Sequence, residues 1–268
     1  MTPKALGLAL LLAAAPASAG TPLIIYLGDT HTAQPFGQTL DPLLRAAFPG
    51  CDVETHGRCG AWAPWFLADN VLSGHETSCG YLDRMPGEGS PKKSETGSQA
   101  TPVFSTDGMT LQVDGQTRLQ AAVAVVSLGS YMILFKPKDK TLTVVGLDYA
   151  ALLAKRLTDA GLKCVWVGAP YIKRTSWGDA PDAESINDTL NEKLKAAVTQ
   201  AGCYYVDSLQ ITRGYEHARL ENGLDYKPGP SANWAAAVRD AVKSTGVLDA
   251  ACRVAPPRTK DDEFGGRL

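Results

Sequence analysis

Apolar residues along this chain fall into two kinds of run. Short unbroken blocks have the length and β-branched content of strands buried on both faces: LIIYL at Leu23–Leu27, AAVAVVSL at Ala121–Leu128 and the block within Lys163–Val167. Between them, apolar residues spaced three and four apart predict helices over Thr39–Ala47, Leu147–Ala160, Ala183–Ala201 and Ser231–Ser244. Pro49-Gly50, Gly161 and Gly202 supply stop signals for the first three, Asp182 is the predicted N-cap of the third, and Pro228 and Pro230 precede the last. Two shorter runs, Cys51–Thr55 and Cys203–Val206, complete a set of five strands. Strands alternating with helices predict a three-layer α/β/α, flavodoxin-like fold around a five-stranded parallel sheet, and right-handed crossovers leave few topologies open.

Two regions break this rhythm. Residues 84–120 are hydrophilic and rich in Gly, Ser and Pro, and are expected to form an insertion over the C-terminal side of the sheet. Within them Met109–Val113 and Gln116–Leu119 predict a hairpin turning at Asp114-Gly115. The tail, residues 253–268, has the composition of a disordered segment. At the other end, Lys4 is followed by an apolar run and Ala17-Ser18-Ala19, the pattern of a secretory signal peptide over residues 1–19. That run falls short of the about 20 residues needed to span a bilayer, and no later segment does better. The expectation is one domain over residues 20–252, secreted or periplasmic after cleavage near Ala19, with no transmembrane segment.

Charge and cysteine content narrow the chemistry. With 26 basic and 28 acidic residues the net charge is -2, and no basic stripe suggests a nucleic-acid partner. Six cysteines suit an oxidising compartment. Cys59 and Cys79 bracket one loop-rich segment, Cys164 and Cys203 each open a strand, and Cys51 and Cys252 are left over; six cysteines formally allow 15 pairings. No C-x-x-C or paired-His spacing calls for a metal, and nothing calls for a cofactor.

Ligands of open parallel sheets bind at the carboxyl ends of the strands. Four stretches fall there: Gly28-Asp29-Thr30, Gly57-Arg58-Cys59-Gly60, Gly129-Ser130-Tyr131-Met132, and Asn222-Gly223-Leu224-Asp225 before the last helix. In that order they resemble the SGNH/GDSL hydrolases, from Leu23 to about Val242. The resemblance implies the SGNH-hydrolase fold and ester hydrolysis: a Ser nucleophile after strand one, a Gly and an Asn as oxyanion donors, and an Asp-x-x-His pair as orienter and base. Here Thr30 stands for the Ser, Tyr131 for the Asn, Asn222 for the Asp and Asp225 for the His; Gly60 alone matches.

These replacements are not equal. Thr30 keeps a hydroxyl, though its methyl restricts the rotamer. Loss of an oxyanion donor, as at Tyr131, typically costs about 3–4 kcal/mol of transition-state stabilisation. Asp225 is the gravest change: a carboxylate of ordinary pKa, about 3.9, is a poor general base for a hydroxyl at neutral pH.

Of the four histidines, His31 is expected to shape its loop, His56 precedes the Gly57–Gly60 turn and is a candidate to face the site, and His217 is the best candidate for a displaced base; the favoured reading of each is a surface or loop-packing residue. Asp29 is expected to bond neighbouring backbone N–H groups. Trp62, Trp65, Phe66 and Trp177 are candidates for lining a sugar-binding cleft, with ordinary packing as the alternative. Three functions follow. The favoured one is an exported protein with a degenerate site that binds a glycan or acylated small molecule. The others are an active esterase using Thr30, and an interaction protein of the cell envelope.

Overall fold

Every residue of the strand Leu23–Gly28 is buried, because both faces of the sheet it enters are covered. The computed structural model describes residues 20–253 except 69, 108, 109, 119, 120, 179, 183, 216 and 217. Its first half runs β1 (Leu23–Gly28), α1 (Thr30–Ala33), α2 (Pro35–Ala47), β2 (Asp52–Arg58), α3 (Ala63–Phe66), β3 (Glu76–Thr77), β4 (Tyr81–Arg84), β5 (Lys92–Ser94), β6 (Gln99–Ala100), β7 (Phe104–Asp107), β8 (Thr110–Val113) and β9 (Gln116–Thr117). The second half runs β10 (Ala121–Ser127), β11 (Ile133–Lys136), β12 (Thr141–Val144), α4 (Leu147–Asp159), β13 (Lys163–Val167), α5 (Ser185–Gln200), β14 (Tyr204–Val206), α6 (Ser208–Thr212), α7 (Pro228–Ser244) and α8 (Val247–Ala251).

The principal sheet has the order β14-β13-β10-β1-β2-β4-β5. Its first five members pair in parallel. In chain order of those five the arrangement is 2-1-3-4-5, the flavodoxin-like order, with a switch point beside β1. Alternation along the strands divides the core. Ile25, Leu27, Ala124 and Val126 face one layer with Leu153, Leu157, Leu190 and Leu194 of α4 and α5. Ile24, Tyr26, Val123 and Val125 face the other, with Phe36, Leu40, Trp234 and Val238 of α2 and α7. The stacked rings of Phe36 and Trp234, 3.7 Å between centroids, join those two helices.

The sheet exceeds the expected five strands by two. β4 and β5 extend it antiparallel beside β2, in the registers Thr55↔Arg84 to Arg58↔Tyr81 and Tyr81↔Ser94 to Asp83↔Lys92. β5 (KKS) lies at the edge and buries little, while β4 (YLDR), between β2 and β5, contributes one fully buried apolar residue, Leu82, too few to show an alternation. The turn Asp114-Gly115 joins β8 to β9 with both residues at positive φ, 50° and 71°, as a type I′ hairpin turn requires. β7, which has no clear sequence signal, pairs with β8. Met109 and Leu119, the outer ends of the predicted hairpin, lie outside the described residues. The β11–β12 hairpin is likewise not foreseen.

Helix starts also shift. α2 begins at Pro35 and α7 at Pro228, several residues before the predicted starts, because proline is tolerated in the first helical turn where no N–H is needed. α5 begins at Ser185 with Glu184 at the N-cap position and no side-chain cap bond; Asp182 contributes its backbone oxygen to Ile186 N–H instead. Ala183, the predicted first residue of that helix, is outside the described residues.

The cysteines pair as Cys51–Cys252, Cys59–Cys79 and Cys164–Cys203, with Cα–Cα distances of 5.0, 5.4 and 4.5 Å. The first ties the start of β2 to the end of α8, the second staples the turn after β2, and the third links β13 to the entry of β14. Among the described residues no helix is long and apolar enough to cross a membrane. Residues 1–19 and 254–268, where the signal peptide and most of the tail are expected, lie outside them.

Candidate functional site

The site grows from the end of β1. A Cβ on Gly28 would stand 2.0 Å from Thr32 Oγ1 and 2.7 Å from the Ser127 oxygen, so glycine alone lets the chain turn into α1 here. Asp29 caps α1 by accepting from His31 N–H at 3.0 Å. The same carboxylate accepts from the Gly129 and Ser130 N–H groups at 3.3 and 3.1 Å, fastening the exit of β10 to the exit of β1. Burial opposes charge on Asp29, but the contacts from His31 and Ser130 outweigh it and hold the carboxyl below its usual range.

Thr30, 2% exposed, follows as the first residue of α1. Its Oγ1 accepts from Gly60 N–H at 2.9 Å and donates to the Tyr131 phenol oxygen at 2.9 Å. Cys59 Sγ, a weaker acceptor, is 3.6 Å away. Gly60 sits at φ +81°, a left-handed turn that glycine accepts readily, and the Cys59–Cys79 bridge holds that turn in place. Tyr131 stacks under the Arg174 guanidinium, 4.5 Å from ring centroid to Cζ, and Arg174 Nη2 donates to the Ser130 oxygen at 3.0 Å. Burial pushes the Tyr131 phenol up despite the bond from Thr30 and the Arg174 charge. The phenol therefore stays neutral near pH 7 and is no base for Thr30.

Asp225 occupies the loop before α7. Asn222 Nδ2 donates to Asp225 Oδ2 at 2.6 Å, while Asn222 Oδ1 accepts from the Leu224 and Asp225 N–H groups at 2.9 and 3.0 Å. Gly223 sits at φ +68° with its Cα against the Lys173 oxygen, so the loop lies tightly on the segment after β13. Asp225 is 8% exposed, and its Oδ1 is buried with no hydrogen-bond partner among the described residues. No hydrogen bond joins Asp225 to Thr30 among those residues. Thr30, Gly60 and Tyr131 thus meet, and Asn222 and Asp225 meet each other, but among the described residues no hydrogen bond joins the two groups.

No described histidine fills that link. His31 is a strut: Nε2 bonds the Leu224 oxygen at 3.0 Å, Nδ1 meets Ser130 Oγ at 2.8 Å, and the ring stands edge-on to Trp234. Burial lowers its pKa, but Asp29, Asp225 and the Leu224 oxygen reverse the effect and leave it raised. His56, a candidate to face the site, is instead a packing residue. Both its nitrogens are taken, by Glu54 at 2.9 Å and Asp83 at 3.1 Å, because β4 brings Asp83 against β2. His75 is exposed and its ring lies 4.4 Å from that of Trp65. His217 lies outside the described residues.

Of the four candidate aromatics, Trp65 lies against a site residue and Trp62 packs elsewhere. The Trp65 ring comes within 3.8 Å of where a Gly60 Cβ would be, and Trp62 packs on Gly146 and edge-on to Tyr149. Both are half-buried. Phe66 and Trp177 are core residues, fully enclosed by their neighbours. Sequence reasoning did not single out Arg174 or Ser130. Arg174 lies shortly after β13, at the same carboxyl end of the sheet as the other site residues, and that placement was the available signal.

No family model matches this sequence, and no curated protein is a significant match. Solved structures are similar in fold. A DUF4886 family protein from Bacteroides uniformis has a TM-score of 0.50 at 10% identity, over 88% of this chain and 88% of its own. A lipase/acylhydrolase from Enterococcus faecalis has a TM-score of 0.49 at 12% identity, over 84% and 96%. A carbohydrate acetylesterase from Sinorhizobium meliloti has a TM-score of 0.48 at 11% identity, over 84% and 99%. With its 2-1-3-4-5 parallel order and a site built at the ends of β1, β2 and β10, the chain has an SGNH/GDSL hydrolase-like fold.

Proposed function

We propose that this is an exported protein that binds a glycan or acylated small molecule in the cleft at the strand ends and does not hydrolyse it efficiently. The observation that carries this reading is the hydrogen-bonding of Thr30: its proton goes to the neutral phenol of Tyr131, and no described imidazole or carboxylate oxygen bonds it. Without a base the hydroxyl is a weak nucleophile. The half-buried Trp65, whose ring reaches the Gly60 turn, offers an aromatic face suited to a sugar ring. Three disulfides support an oxidising destination, in keeping with the signal-peptide pattern at residues 1–19.

The test combines chemistry and binding. Purified protein is expected to resist labelling by a fluorophosphonate probe, to leave p-nitrophenyl acetate unhydrolysed, and to bind a glycan saturably, with binding lost on Trp65→Ala. Labelling at Thr30 together with turnover would overturn the reading.

A second reading, a working esterase, draws on one observation. Gly60 N–H, one of the donors the resemblance assigns to an anion hole, lies beside Thr30 and bonds its Oγ1 at 2.9 Å. The labelling experiment separates the two.

A further inference from the structure

The antiparallel extension of the sheet builds a pocket of its own. In the registers His56↔Asp83, Asp83↔Lys92 and Arg58↔Tyr81, these five side chains fall on one face of β2, β4 and β5, since residues two apart along a strand share a face. Residues 99–102 supply another wall, with Asp114 of the β8–β9 turn, and the space between is a pocket of about 370 Å³. Arg58 Nε ties that wall to the sheet by donating to the Ala100 oxygen at 2.8 Å. The volume suits a small organic molecule. Thr30, Gly60, Tyr131, Asn222 and Asp225 take no part in the lining.

The charges of this lining are matched. Arg58 pairs with Asp83 at 2.7 Å and Lys92 with Glu88 at 3.2 Å. His56 lies between Asp83 and Glu54, and Asp114 accepts from Val103 N–H at 2.7 Å. A pocket without surplus charge has nothing to offset the desolvation of an ion, so charged ligands are disfavoured. Hydrogen-bonding capacity is nevertheless left over. The N–H groups of Arg58 make four bonds, to Ala100, Gly57 and both Asp83 oxygens, and a guanidinium has five. The remaining one is on Nη2. Asp83 Oδ2 accepts from that same Nη2 at 3.0 Å and from no other group among the described residues. One spare donor and one spare acceptor therefore stand side by side. Tyr81, half-buried in the same lining, makes no side-chain hydrogen bond among those residues.

We infer that this pocket binds an uncharged sugar ring, two adjacent hydroxyls of which bond Asp83 Oδ2 and Arg58 Nη2 while the Tyr81 ring lies against its carbon face. A hydroxyl can donate or accept, so a neighbouring pair uses the one acceptor and the one donor on offer. A carboxylate matches a guanidinium through two parallel donors, and Arg58 has one left. The site is separate from the strand-end binding proposed above and does not depend on it. The chemistry is recognition alone; no bond is made or broken.

The experiment is an amide-resolved NMR titration of the isotope-labelled full chain with the methyl glycosides of glucose, galactose, mannose and N-acetylglucosamine, beside glucuronate and glucosamine as charged counterparts. At least one neutral glycoside is expected to bind saturably and to shift the Gln99 side-chain amide and the Ala100 and Thr101 N–H groups. Tyr81→Ala is expected to weaken binding about tenfold. Asp83→Asn is expected to weaken it by a similar factor, but it also disturbs the His56 contact, so Tyr81→Ala is the deciding variant. Saturable shifts confined to Gly60 and Trp65 would overturn the inference and leave the strand-end reading standing. A charged sugar bound as tightly as its neutral counterpart would overturn the assignment of an uncharged ligand. Absence of saturable shifts with every neutral glycoside, or full affinity in folded Tyr81→Ala, would overturn the site itself.

Discussion

The hydroxyl of Thr30 points its proton at the phenol oxygen of Tyr131, 2.9 Å away and 101 residues along the chain. This contact takes up the Thr30 hydroxyl proton. A nucleophile must surrender its proton to a base, and a phenol whose pKa burial has raised is an acceptor of hydrogen bonds rather than of protons. Arg174 over the ring and the backbone of Ser130 beneath it keep the arrangement in place.

Installing the groups of the SGNH/GDSL pattern should confer chemistry only as a set. Asn222 and Asp225 already touch through their side chains at 2.6 Å, the contact that an orienting carboxylate and an imidazole would make. Thr30→Ser or Tyr131→Asn alone is expected to leave p-nitrophenyl acetate hydrolysis at background. The combination of Thr30→Ser, Tyr131→Asn, Asn222→Asp and Asp225→His is expected to raise it about a hundredfold, the lower end of what a general base contributes. A combined variant that folds, as judged by circular dichroism, yet stays at background would show that the cleft cannot seat an imidazole against residue 30.

His56 is predicted to make stability fall in alkali. The ring, 6% exposed, lies between Glu54 and Asp83; Arg118 pairs with Glu54 on one side and Arg58 with Asp83 on the other. Burial disfavours the imidazolium, but the two carboxylates more than offset this and raise its pKa. A raised pKa contributes stability that is fully present below the unfolded value near 6.5 and is lost as pH climbs through the folded value. Glu54 acts at the other end: burial opposes its charge, yet His56 and Arg118 hold it down to about 2, so its contribution is present above about 4.5 and disappears as pH falls towards 2. Urea midpoints should be highest between about pH 4.5 and 6.5 and lower at pH 9. His56→Gln should cost about 2–4 kcal/mol at pH 6 and flatten the alkaline fall; an unchanged alkaline slope in the variant would assign the loss to another group.

Gly28→Ala should be poorly tolerated for a steric reason unrelated to chemistry. The added methyl would overlap Thr32 Oγ1 and crowd the Ser127 oxygen, both in fully packed surroundings. Overpacking of this kind costs about 1–3 kcal/mol, visible as a lower Tm in differential scanning calorimetry. Gly87→Ala, where a Cβ meets nothing within 4 Å but φ is +77°, should cost about 1 kcal/mol from backbone strain alone.

The three disulfides should differ in worth by the loops they close. Cys51–Cys252 spans 201 residues and Cys164–Cys203 spans 39. Chain-entropy reasoning makes the paired Cys→Ala change at the longer bridge about 1.5 kcal/mol more destabilising. Guanidinium unfolding of the two double variants measures the difference, and the reverse order would place the stabilisation in local packing instead.

The amino-acid sequence by itself determined the parallel core. Runs such as Ala121–Val126 are apolar at every position because both faces of the sheet are covered, and burial of that kind is written locally, residue by residue. It also determined which functional groups stand at the strand ends, since Gly28, Gly60 and the residues beside them belong to short turns set by their own backbone needs. Only the tertiary structure decided which of those groups meet. The pairing of Thr30 with Tyr131, the strut from His31 to Leu224 across 193 residues, and the diversion of His56 to Asp83 all depend on strand register and on how distant loops close over the sheet. The same holds for β4 and β5: β4 buries a single apolar side chain, Leu82, and β5 is a polar edge strand, so hydrogen bonds to β2 and then to β4, rather than any pattern of their own, place them in the sheet.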